Sequence, residues 1–114
     1  QLHRRQRQMC IRDRIYSSSA EEISKICKEI ENFINDENQG FCINPGQESF
    51  AKAVEFGASS IDLEILCYTN KDSYTEYSEV KQNLLLKIKS IVIKNNSDFA
   101  FPSRSIYFEN NLEK

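Results

Sequence analysis

The sequence is poor both in residues that break chains and in residues that do chemistry. It holds three glycines, two prolines, one histidine and no tryptophan in 114 residues. No G-x-S-x-G, P-loop or G-x-G-x-x-G motif occurs, so neither a nucleophile elbow nor a phosphate-cradling loop is built. The one histidine, His3, stands at the very start, away from any partner that could make it a general base. Long apolar runs are missing too. The longest, LLLKIKSIVI, is broken by lysines and falls well short of the roughly 20 residues that span a bilayer. The opening is arginine-rich with no apolar stretch behind it, which is not the pattern of a secretory signal. The four cysteines, Cys10, Cys27, Cys42 and Cys67, are far apart and form no C-x-x-C. Zinc sites need clustered ligands, so no metal and no cofactor is expected. Cys27 falls on an apolar helix stripe and Cys67 on an apolar strand face; both read as small buried hydrophobes in a reducing compartment.

What is present is globular: 39% hydrophobic and 28% charged, enough for one domain. The net charge of −2 conceals a seam. Residues 1–14 hold five arginines (Arg4, Arg5, Arg7, Arg12, Arg14) and one acid, Asp13. The remaining 100 residues hold one arginine, nine lysines and sixteen acids, a net of −6. One reading is a basic arm for nucleic acid or anionic lipid. The other is that residues 1–14 are foreign to the gene, because RQMCIRDR resembles translated sequencing-adapter read-through. The second is adopted, and residues 1–14 are set aside as a probable non-native stretch.

A helix follows Ser17-Ser18-Ser19. Ser19 with Glu22 makes a capping box, and Ala20, Ile23, Ile26, Cys27, Ile30, Phe33 and Ile34 form one apolar stripe. Gly40 is a plausible stop. After the turn at Pro45-Gly46 come two strands, Glu48–Phe56 and Ile61–Tyr68. In the second, Ile61, Leu63, Ile65 and Cys67 alternate with Asp62 and Glu64, the period of a sheet with one buried face. Gly57 in FGASS is expected to supply backbone freedom for a hairpin. A second helix starts at Asp72 or Ser73, with Ser73 and Glu76 as another capping box. It buries Tyr77, Val80, Leu84, Ile88, Ile91 and Val92 and ends at Asn95-Asn96. The closing stretch FAFPSRSIYFE alternates around Pro102 and reads as extended chain.

With one strand placed in front, this order is βαββαβ, an α+β ferredoxin-like domain with helices on one sheet face. The first strand of that fold lies between the last and the third. Its place falls in the suspect start, so a degraded or missing first strand is expected. Met9, Ile11 and Ile15 make a poor substitute, with Asp13 facing inward. The chain is expected to be marginal in isolation, each buried unpaired ladder group costing about 1–3 kcal/mol.

Catalytic candidates are few. Asp62 and Glu64 share one strand face, but acid–base work needs a pocket that perturbs them, and a solvated face is the plainer reading. Tyr74 and Tyr77 read as packing. An RNA-recognition sheet needs exposed aromatics and basic surroundings, where this one shows acids. No enzyme activity and no nucleic-acid partner is expected.

Three phrases, in order, carry a resemblance over residues 16–109. FGASSIDLEILCY resembles the G-x-S-S hairpin of the MscS-type mechanosensitive channel family, with Gly57, Ser59 and Ser60 as its motif residues. YTEYSEVKQNLLLKIKSIV resembles the family's second cytosolic helix. FAFPSRSIYFE resembles its closing P-[FY]-P-Q-x-T-V stretch: Phe101 and Pro102 fit, Ala100 and Ser103 depart, and Ser105-Ile106 match Thr-Val. The resemblance implies an inner-membrane channel that opens under tension and releases ions and osmolytes in hypo-osmotic shock. It implies a homoheptamer with a hollow cage on the cytoplasmic side and a floor barrel made from one closing strand per subunit. This chain would be the C-terminal cytosolic fragment, joined to the membrane through transmembrane helices it does not contain. Residues 15–102 would be the α/β domain and 103–114 the barrel strand and tail. Pro102, Ser103, Ser105, Ile106, Tyr107 and Phe108 would form the oligomerisation strand. The competing reading is a free-standing ferredoxin-like module that binds a small ligand.

Overall fold

The computed structural model describes residues 6–16 and 19–100. The elements run β1 (Arg7–Tyr16), α1 (Ala20–Ile34), a 3-10 turn (Glu37–Gln39), β2 (Phe50–Phe56), β3 (Ile61–Thr69), α2 (Tyr74–Lys94) and β4 (Asp98–Phe99).

Both helices start where hydroxyls cap them. Ser19 Oγ accepts from the Glu21 and Glu22 amides at 3.1 and 3.3 Å, and Ser73 Oγ accepts from the Glu76 amide at 3.1 Å. α1 ends at Asn35, earlier than Gly40. Gly40 instead closes the 3-10 turn in the left-handed region, φ 94°. α2 ends at Asn95, followed by Asn96 at φ 61°.

The sheet is antiparallel with order β2-β3-β1-β4, the ferredoxin-like arrangement. Both helices lie on one face. Ile26, Ile30 and Ile34 of α1 and Val80, Leu84, Ile88, Ile91 and Val92 of α2 meet Met9, Ile15, Leu63, Ile65 and Cys67 from the sheet in one core. Fully burying each large aliphatic side chain contributes roughly 1.5–3 kcal/mol, and this shared burial holds the layers together.

The expected gap at the first strand is not there. β1 is ten residues long and pairs with β3 from Arg7↔Thr69 to Ile15↔Ile61. The physical reason is that ladder bonds are made by backbone, so a strand forms wherever alternation is tolerable. Met9 and Ile15 are buried and Ile11 is half-buried on the inner face, while Gln8, Cys10, Arg12, Arg14 and Tyr16 are exposed on the outer one. Asp13 faces inward as expected, and burial pushes its carboxyl above the ordinary carboxylate value.

Candidate functional site

The features that set this domain apart gather at one end of the sheet, where the β2–β3 hairpin, the end of β1 and β4 meet. The hairpin closes through the Gly57 amide, which donates to the Ser60 carbonyl at 2.8 Å. Gly57 does not occupy the left-handed region. A Cβ there would meet Ser60 Oγ, a hydroxyl that can rotate away. Ser59 is exposed and Ser60 half-buried. Ile23, Phe56 and Ile61 border a shallow cleft of about 260 Å³ over this turn.

Strand register lines up four apolar residues across this end. Phe56 pairs with Ile61, Ile61 with Ile15, and Ile15 with Phe99. Exposure rises sharply toward the β2 edge: Ile15 is fully buried, whereas Phe56 is 84% exposed. Between Ala53 and Glu55 the β2–β3 register shifts, an irregularity that leaves Val54 half-exposed beside this corner.

At the other edge of the row stands β4. The Ala100 amide donates to the Arg14 carbonyl at 2.8 Å, the last bond of the β1–β4 ladder among the described residues. The sequence-expected oligomerisation residues Pro102, Ser103, Ser105, Ile106, Tyr107 and Phe108 lie outside the described residues.

The outer sheet face is ionic rather than simply wet. Arg14 Nε meets Asp62 Oδ1 at 2.8 Å and its Nη2 meets Oδ2 at 3.4 Å. Arg12 pairs with Glu55 at 2.8 Å and approaches Asp62 at 3.7 Å. The two guanidinium groups leave the Asp62 side chain only 9% exposed. The bond from Arg14 holds that carboxyl below its ordinary value. Glu64 accepts a weak bond from Cys10 Sγ at 3.7 Å. Asp62 is therefore ion-paired rather than solvated, and sequence reasoning missed this because the arginines were set aside.

The thiols do not form a reactive site. Cys67 is buried and its pKa is pushed up to about 12, chiefly by desolvation; burial also raises Cys27. Among the described residues no cluster of three Cys, His, Asp or Glu side chains could hold a metal ion. Tyr77 packs under Arg7, whose guanidinium lies 5.1 Å from the ring centre. Tyr74 is 75% exposed and does not pack into the core as expected. Among the described residues no helix is long and apolar enough to cross a membrane.

Comparison with known proteins places this geometry. Residues 15–99 match the family described as "Mechanosensitive ion channel MscS, C-terminal". The chain is 37% identical over 95 residues to an uncharacterised MscS family protein of Aquifex aeolicus, covering 83% of this chain and 25% of that protein. It is 36% identical over 56 residues to the low conductance mechanosensitive channel YnaI of Escherichia coli, covering 49% of this chain and 16% of that one. The fold matches the cryo-EM structure of Arabidopsis thaliana MSL1 with TM-score 0.77 at 16% identity, covering 85% and 34% of the two chains. It matches the closed-state crystal structure of Helicobacter pylori MscS with TM-score 0.57 at 20% identity, covering 93% and 39%. The chain thus spans about a quarter of the length of its Aquifex relative. On the family match and the shared fold together, the chain belongs to the MscS family of mechanosensitive channels and corresponds to its C-terminal domain.

Proposed function

We propose that this domain is the cytosolic cage segment of a channel subunit that opens under membrane tension and releases ions and osmolytes in hypo-osmotic shock. The family is one of channel proteins rather than enzymes. The cage would be a homoheptamer on the cytoplasmic side of the inner membrane, floored by a barrel of residues 103–109 from each copy.

The carrying observation is the register of β4. Ile15↔Phe99, with Ala100 N bonded to Arg14 O, places even-numbered residues of β1 in the bonded pairs on this side. Continued past Ala100, the same register would set Pro102 opposite Arg12, where an N–H is required and proline has none. It would also set Ser103 and Ser105 beside Ile11 and Met9 on the core face, and Ile106 and Phe108 on the outer face. The apolar pattern is therefore inverted for this sheet. Both facts favour a segment that leaves its own domain and pairs elsewhere, and copies of itself in a closed barrel would remove its edges. The free-standing ligand-binding module has no comparable observation behind it.

The test is patch-clamp of spheroplasts whose only such channel is the full-length subunit carrying this domain. Tension-gated current is expected. Membrane-inserted subunit without any tension response would overturn the proposal.

A further inference from the structure

β2 is an edge strand, and side chains of α1 reach its free side. The Ala51 amide donates to Glu31 Oε2 at 3.1 Å. An amide bonded there points away from β3, so Ala51 belongs to the edge-facing residues of β2, and by the period of two so does Ala53. The backbone of Ala53 hydrogen-bonds Cys27, one turn before Glu31 on α1. The spacings agree: four helical residues rise about 6 Å, and two strand residues about 6.6 Å. Helix and strand run in opposite senses, with Cys27 meeting Ala53 and Glu31 meeting Ala51.

Lys52 adds to this closure. It stands opposite Glu64 on the outer sheet face, yet its Nζ meets Glu31 Oε2 at 3.0 Å on the helix side. Its side chain therefore lies across the edge. An open edge is a template for pairing, and lysines and side chains laid over an edge blunt it. Without them, the most complete pairing open to these residues is with the same edge of a second copy. Ala51 of each copy would stand opposite Ala53 of the other, with backbone bonds made both ways about a two-fold axis at residue 52. That pairing also sets Lys52 against its own copy, a destabilising like-charge pair.

We propose that Glu31 and Lys52 form an autoinhibitory contact that keeps the β2 edge from pairing with β2 of a second copy of this chain. Glu31 is the decisive member. Its carboxylate holds both the Ala51 amide and the Lys52 ammonium, whereas the Cys27 thiol is a weak acceptor. A two-fold contact at β2 joins molecules in pairs and does not build the heptamer proposed above, so blocking it leaves molecules available for that assembly. The guard itself lies within α1 and β2 and does not depend on how residues 103–109 pair.

The test uses the whole 114-residue chain with Cys10→Ser and Lys52→Cys, with and without Glu31→Ala, oxidised with copper phenanthroline. Residue 52 meets its own copy only if β2 edges pair about it. Covalent dimer on non-reducing denaturing gels should rise roughly tenfold when Glu31→Ala opens the edge. Glu31→Gln keeps an acceptor for the Ala51 amide and should return the yield to that of the chain with Glu31. Equal yields with Glu31 and with Glu31→Ala overturn the proposal, and so does a Glu31→Gln yield as high as that of Glu31→Ala. Circular dichroism checks that the variants fold. Amide hydrogen exchange on the unsubstituted chain needs no variant to fold: the Ala51 amide should be protected although it faces the open edge. Exchange at the unprotected rate shows that Glu31 does not cap it and overturns the guard.

Discussion

The two central strands, β1 and β3, are equally well paired and unequally well made. Each residue of β1 from Arg7 to Ile15 has a partner on β3. On the core face β3 supplies Leu63, Ile65 and Cys67, all fully buried. β1 supplies Met9 and Ile15 but interrupts them with Asp13, set opposite Leu63. On the outer face Asp62 of β3 is held by Arg12 and Arg14 of β1. Backbone pairing thus tolerates a strand that side-chain burial does not favour. β3 buries an unbroken apolar row, while β1 adds backbone hydrogen bonds and ion pairs to the buried Met9 and Ile15.

Substitutions can break that comparison. Leu63→Ala should cost about 2–5 kcal/mol in denaturant unfolding, because a fully buried leucine leaves a cavity. Ile11→Ala, half-buried on β1, should cost distinctly less; equal costs would remove the asymmetry.

Asp13→Val should stabilise the domain by about 1–2 kcal/mol at pH 7 by replacing a desolvated carboxylate on the apolar face. The pH dependence has a definite sign. Burial raises the Asp13 carboxyl above its ordinary 3.8, so its favourable contribution is complete below that value and is lost as pH rises through the folded-state pKa. The advantage of the valine variant should therefore shrink toward pH 3. An advantage independent of pH would show that Asp13 is not desolvated.

Arg14→Gln should give the smallest change, and one of opposite pH dependence. Arg14 lowers the Asp62 carboxyl, so the pair stabilises above pH 3.8 and that contribution is lost as pH falls through the depressed folded-state value. The difference between variant and parent should close on acidification and diminish in high salt, since half of the arginine side chain is solvent-exposed.

The local features were legible in the sequence. Ser19 and Ser73 cap the helices they were expected to cap, and the stripes of α1 and α2 bury as their spacing predicts, apart from the exposed Ala20 and the half-buried Ile23, Cys27, Phe33 and Tyr77. The element order was legible as well, since each strand and helix carries its own period. What could not be read depends on pairs distant in sequence. Asp62 is covered by residues 48 and 50 positions away. The Ala51 amide is capped by Glu31, twenty residues earlier. The lateral row from Phe56 to Phe99 exists only once the registers of three strand pairs are known. Gly57 was expected to use its backbone freedom, yet it lies outside the left-handed region. β1 was underestimated because alternation was weighed and backbone pairing was not.

We propose that the segment after Ala100 leaves its own sheet to hold copies of the subunit together. The most direct measurement is the native mass of the detergent-solubilised full-length subunit, compared with its Ile106→Asp and Phe108→Asp variants. A heptameric mass for the parent and a shift to smaller species in both variants is the predicted result, because each aspartate would bury an unpaired charge at the subunit junction. A monomeric parent, or variants with the parent's mass, would contradict it.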